Sequence, residues 1–135
     1  MSQAVQMTEA EQQQWTRDQY QVATKYLAEK GIVTKSVQAQ ESRYIVPFLA
    51  VWKLTSLEGK KFWVLSGDLP TDHINFEVAA NAREALRHFS LKWQLQSENL
   101  LQADIKEQKD FAHLLISRAE TIYKLCEDDA LWSMK

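Results

Sequence analysis

Every strong helix breaker in this chain falls inside one 40-residue window. Its three glycines and two prolines all lie between Gly31 and Pro70, and the 65 residues after Pro70 contain neither. Glycine and proline are the residues that most disfavour a helix interior. A chain partitioned in this way is expected to be helical on both sides of a strand-rich middle. The class that follows is α+β: an N-terminal helix, a small antiparallel sheet of two or three strands centred on a β-hairpin, and two long C-terminal helices.

The hairpin is the best-specified part of that middle. Apolar runs on either side of Glu58-Gly59 read as two strands joined by a two-residue loop. That loop places Leu57 opposite Lys60, Leu54 opposite Trp63 and Trp52 opposite Leu65. Alternate residues of a strand share a face, so Trp52, Leu54, Trp63 and Leu65 would line a wholly apolar side. Val51, Lys53, Phe62, Val64 and Ser66 would form a mixed one. A slip of one residue would exchange the two environments. Pro47 cannot donate to a ladder and belongs at a strand's first residue or on an edge. Val33, Thr34 and Val37 suit a further edge strand, and Glu41, Ser42 and Arg43 read as the turn out of it.

Helix signals flank this middle. Thr8 with Glu11 has the spacing of a capping box, Trp15, Val22 and Tyr26 share a stripe with Ala23 and Leu27 beside it, and Gly31 can close the helix in a left-handed conformation. The first helix is therefore expected over about 9–30. After Pro70, Thr71 or Asp72 can cap a helix whose stripe runs through Ile74, Val78, Ala82, Ala85, Phe89 and Trp93 to about Leu100. A last helix, about 104–126, repeats the pattern with Phe111, Leu115, Ala119, Ile122 and Cys126, and the break is expected at Gln102-Ala103-Asp104. Residues 1–7 and 127–135 read as tails, although Leu131 and Trp132 are apolar enough to dock on the domain or on a partner.

Composition excludes several functions. The net charge is −2, and the middle of the chain exceeds neutrality by only two positive charges, too few for the basic footprint of a nucleic-acid binder. One cysteine allows no internal disulfide and fits a reducing cytoplasm. No window approaches 18 apolar residues, and the N-terminus lacks the basic and apolar regions of a signal peptide. The expectation is one cytoplasmic domain that contacts neither membrane nor nucleic acid.

No motif carries an assignable chemistry. There is no His-Glu-x-x-His, no EF-hand loop and no pair of cysteine ligands, so neither metal nor cofactor is expected. Ser66-Gly67-Asp68 lacks the glycines and the lysine of a phosphate loop, and Asp68 and Asp72 would repel an anion. His73 and Glu77, near Asp68 and Asp72, could hold a cation, but they read better as the capped first turn of a helix. Arg83, Arg87 and Lys92 form a partial basic stripe that reads as a solvated helix face, with Glu84 as a local ion-pair partner. Cys126 stands beside Glu127, Asp128 and Asp129, which oppose thiolate formation, so it reads as a small buried side chain.

At Glu41-Ser42-Arg43-Tyr44, at Phe62 to Asp72 and at Ala82 to Ser90, the chain resembles a family of small uncharacterised proteobacterial proteins, a domain of unknown function. The resemblance covers most of residues 10–125. It implies a bacterial, single-domain, cytosolic protein and brings no activity or site residues with it.

Two functions remain. The first is a non-enzymatic module that binds another protein or a second copy of itself, motivated by an exposed sheet edge and a half-apolar second face. The alternative is a small-molecule binder or minor enzyme with a pocket near the Gly67–His73 turn, where Arg43, Asp68, Asp72 and His73 would supply the polar groups.

Overall fold

The computed structural model describes residues 7–133. Helix α1 (Glu9–Glu29) is followed by strands β1 (Thr34–Val37), β2 (Arg43–Ile45), β3 (Leu49–Ser56), β4 (Lys61–Gly67) and β5 (Asp72–Asn75), and a 3-10 turn covers Phe76–Val78. Helices α2 (Ala82–Gln102), α3 (Lys106–Glu127) and α4 (Asp129–Ser133) complete the chain. The class is α+β, with five strands rather than two or three. All the pairings are antiparallel: β3, β4 and β5 are successive neighbours, while β1 and β2 share the other side of β3.

The sheet is covered on both faces. Leu49, Val51, Trp63, Leu65 and Ile74 pack against α2 and α3 in one core, and Ala50, Trp52, Leu54, Phe62 and Val64 pack against Ala23 and Leu27 of α1 in the other. Both faces of the central strands are therefore apolar, and Trp52 and Trp63 lie on opposite sides. The register corrects the sequence expectation by one residue. Leu54 pairs with Phe62, Trp52 with Val64 and Val51 with Leu65. The reason is a three-residue loop: the Ser56 amide donates to the Lys60 carbonyl at 2.8 Å and Gly59 takes φ +86°. A left-handed glycine in the third loop position fits that geometry, whereas a two-residue loop would have demanded a positive φ at Glu58.

The ends of α1 follow local chemistry. Thr8 and Glu11 close the capping box. At the other end the Ile32 amide reaches the Leu27 carbonyl and the Gly31 amide reaches that of Ala28, a closure made available by the positive φ of Gly31. Val22, expected on the apolar stripe, is 41% exposed; the buried line passes through Ala23 and Leu27 instead.

The start of the C-terminal helical region is a second correction. Asp72–Asn75 is a strand and Val78 is exposed, so helix begins only at Ala82. Asn81 caps it, its side-chain oxygen accepting from the Glu84 amide at 2.9 Å. The Gly67–His73 stretch thus links strand to strand. The expected break between the last two helices holds, but Asp104 is no cap: it takes φ +56°, and Ile105 holds the cap position of α3. Phe111 is 39% exposed, and Ala112 takes its place on the buried stripe. Pro47 lies in the turn between β2 and β3, after a cis peptide bond.

The described part of the tail docks. The Trp132 indole donates to the Leu125 carbonyl at 2.9 Å and packs against the α2/α3 core. Residues 1–6 of the expected N-terminal tail, and 134–135 of the C-terminal one, lie outside the described residues.

Candidate functional site

The register separates the residues expected to form one site. Arg43 pairs with Val51, Val51 with Leu65 and Leu65 with Asp72. Arg43 and Asp72 therefore occupy one row across the sheet but lie three strands apart, a span of about 14 Å. His73, the next residue, points to the opposite face. Asp68 is exposed beyond the end of β4, where its carbonyl accepts from Arg118 Nε at 3.1 Å. Gly67, once a candidate phosphate contact, has a packing role. At φ +137° it lies against the β3 backbone, and a Cβ there would stand 2.3 Å from the Phe48 carbonyl oxygen.

Asp72 and His73 belong to a polar cluster that wraps the β5 edge. Asp72 Oδ1 accepts from Lys92 Nζ at 2.9 Å, from the His73 amide at 2.8 Å and from the Tyr26 hydroxyl at 3.3 Å, while Oδ2 accepts from the Trp93 indole at 2.9 Å. Three of these donors converge on Oδ1 and one on Oδ2, so one lone-pair direction of Oδ2 stays open. The Tyr26 hydroxyl lies 2.9 Å from His73 Nδ1. Burial first, and then the Asp72 charge and hydrogen bond, hold the Tyr26 hydroxyl protonated far above its ordinary range. Burial is also the main cause that lowers the His73 pKa, with Lys92 and Lys30 acting in the same sense and Asp72 opposing them. A neutral imidazole and a protonated phenol close the network in either of two ways. The hydroxyl can donate to Nδ1, or Nδ1–H can donate to the hydroxyl, which then donates to Asp72.

This cluster also covers strand backbone. The His73 amide is taken by Asp72 and its carbonyl accepts from Lys92 Nζ at 3.1 Å. An incoming strand would need those groups, so the cluster protects the edge. The exposed edge that motivated an interaction module is filled at β5 by the protein's own side chains.

Cavities open on the described residues, and of five such cavities none is lined by Tyr26, Asp68, Asp72 or His73. The largest of them, about 660 Å³, lies over the β2 side of the α2 face. Glu41, Arg43, Trp63, Asn81, Arg83 and Trp132 shape it. Arg83 Nε donates to the Cys126 carbonyl at 2.8 Å, tying the start of α2 to the end of α3, and its Nη2 meets Asp129 at 2.6 Å. Arg43 donates to the Leu131 carbonyl. Both guanidiniums lie near the Trp132 ring, at 5.5 Å for Arg43 and 5.9 Å for Arg83. Glu41 is paired with the buried Lys53 at 2.6 Å, and that ammonium sits 4.3 Å from the Phe76 ring centre. The first turn of α2 adds the positive end of its dipole.

The family comparison covers nearly the whole of this architecture: the domain of unknown function DUF4826 matches residues 9–132. The chain belongs to that family. The match takes in α1, the sheet and the docked Trp132 together. No curated protein and no solved structure gave a significant match.

Sequence reasoning had flagged Arg83 as part of a basic stripe and Trp132 as a docking residue, without joining them to Arg43. The stripe itself divides: Arg83 faces the C-terminal segment, Arg87 pairs with Glu84 and Glu127, and Lys92 turns to Asp72. Tyr26 was read only as an apolar stripe residue, and nothing local in the sequence ties it to His73. Cys126 is buried, as expected, and burial pushes its thiol up to about 11. Among the described residues no group of three or more His, Cys, Asp or Glu side chains is placed to hold a metal ion, and no helix is long and apolar enough to cross a membrane.

Proposed function

We propose that this domain is a non-catalytic binding module and that the cavity between β2, the start of α2 and Trp132 is its ligand seat. One observation carries the reading: a cavity of about 660 Å³ brings two arginines and the half-buried Trp132 indole together, over the buried Trp63. Its volume is in the range of small-molecule sites, and its lining is largely polar, with Gln40, Glu41, Ser42, Arg43, Asn81 and Arg83 around the Trp132 ring. The β5 cluster supports the same reading from the other side. Asp72 is paired with Lys92 at 2.9 Å and accepts from the Trp93 indole, so it is poorly suited to take a proton from a substrate. The resemblance supports a bacterial, cytosolic setting, and the −2 net charge supports a partner other than nucleic acid.

The test follows the indole N–H resonance of Trp132 while a fragment library is titrated into the protein. Bound fragments are expected to shift it, because that half-buried indole lines the cavity. A library that binds elsewhere, or leaves the resonance in place, would overturn the assignment.

A second reading keeps the protein-interaction role. Leu91 and Leu95, at i and i+4 on α2, are 54% and 56% exposed and form an apolar pair facing away from the core. It predicts a concentration-dependent dimer that a Leu91→Glu/Leu95→Glu variant abolishes; a monomer at all concentrations removes its support.

A further inference from the structure

Resting on the cavity as a ligand seat, we infer that its ligand carries a carboxylate and binds by displacing Asp129 from Arg83. The C-terminal segment already supplies oxygen acceptors to both guanidiniums. Leu131 offers its carbonyl to Arg43, and Asp129 its carboxylate to Arg83 at 2.6 Å. The Asp129 side chain is 90% exposed, whereas that of Arg83 is 27% exposed. The pair is therefore one fixed cation and one solvated, exchangeable anion. Exposed ion pairs contribute little to stability, so exchanging this one for an external carboxylate costs the fold little.

The fixed partner is suited to the exchange. Arg83 lines the cavity and is held by its Nε bond to the Cys126 carbonyl, while Nη2 meets Asp129. A planar guanidinium recognises a carboxylate with directional, charge-assisted bonds. The half-buried Trp132 ring then gives an apolar body a place beside it. Glu41 lines the cavity as well, but its charge is met by Lys53 at 2.6 Å. Asp129 in this arrangement is a built-in competitor, and removing its charge should favour the external ligand.

The experiment compares phenylacetate with phenylacetamide, a neutral molecule of the same shape, and includes inorganic phosphate as a non-carboxylate anion. Each is titrated into the full chain while the Trp132 indole resonance is followed. Phenylacetate is expected to bind more tightly than the amide and the phosphate. Asp129→Asn should tighten phenylacetate alone by about two- to fivefold, the range for an exposed ion pair. Arg83→Gln should weaken it by about tenfold or more, as expected when a charge-assisted bond is lost. Arg83→Gln also removes the bond to α3, so Asp129→Asn is the decisive variant if the first unfolds. Equal affinity for acid and amide, or an Asp129→Asn variant with unchanged preference, overturns the carboxylate inference while the cavity reading stands. Tightest binding by phosphate also overturns it. Failure of all three probes to move the Trp132 resonance overturns both.

Discussion

On one side of the α2 face of the sheet, Asp72 is 16% exposed and receives four hydrogen bonds; on the other, Asp129 is 90% exposed and leans on Arg83. Both carboxylates meet a cation beside a tryptophan, so the two settings look similar in a contact diagram. Their burial separates them. The partners of Asp72 come from α1, β5 and α2, and of these the Trp93 indole is buried in the core while Lys92 keeps contact with water. Asp129 can leave Arg83 and remain in water. A largely buried carboxylate with several donors holds a fold together, while a solvated carboxylate can be exchanged. That difference, more than the identity of the residues, assigns structure to one region and binding to the other.

The largest expected effect is on the structural side. Asp72→Ala would leave Lys92, the Trp93 indole and the Tyr26 hydroxyl without their shared acceptor. We expect a loss of about 2–4 kcal/mol in urea unfolding, the scale for breaking a largely buried, charge-assisted network. Phenylacetate affinity, measured where the variant is still folded, should not change. A loss below about 0.5 kcal/mol would place Asp72 in the class of exposed pairs and remove the contrast.

Tyr26→Phe tests the same region more gently. It deletes the hydroxyl between His73 and Asp72 and keeps the ring, which lies 5.5 Å from the imidazole centre. We expect about 1 kcal/mol of destabilisation, typical of one hydrogen bond. A variant as stable as the parent would show that the link between α1 and β5 rests on ring packing alone.

The parts of this architecture that local chemistry decides were legible. Thr8 with Glu11, Gly31 and the break after Gln102 each act within one turn of chain. The hairpin was legible in place but not in register, because Glu58-Gly59 fits two loop lengths and the flanking strands are apolar on both faces. With both faces buried, alternation carries no information to correct a slip. Strand β5 was hidden for a related reason. Ile74, Val78 and Ala82 are spaced like a helix stripe, and only Asn81 with Glu84, a cap signal overlooked in the sequence, marks where helix begins. The candidate site failed as a unit because pairing through Val51 and Leu65 sets Arg43 and Asp72 apart. That distance is a property of the sheet, and no local spacing encodes it.

The pH dependence of the β5 cluster follows from His73. In the unfolded chain its imidazole takes a proton near the ordinary value of about 6.5; in the folded protein, burial moves that step to lower pH. Between the two values the unfolded state binds more protons. Stability should therefore be full above about pH 6.5, decline as pH falls toward the folded value, and level off below it. Urea midpoints for the parent and His73→Gln, measured from about pH 8 to about pH 5, should diverge at high pH and converge in acid. Parallel curves would mean that His73 does not couple this cluster to protonation.

The smallest expected effect decides the other half of the comparison. Asp129→Ala removes the ion pair to Arg83 and leaves the Nε bond to the Cys126 carbonyl and the Trp132 contact with Leu125 in place. An exposed pair of this kind should cost no more than about 0.5 kcal/mol, which urea unfolding can resolve against the loss in Asp72→Ala. A near-silent substitution would fit a segment whose carboxylate can step aside for a ligand. A cost comparable to that of Asp72→Ala would make the C-terminal segment part of the fold's framework. Asp129 would then be a fixed partner of Arg83, with no exchange for a carboxylate ligand to exploit.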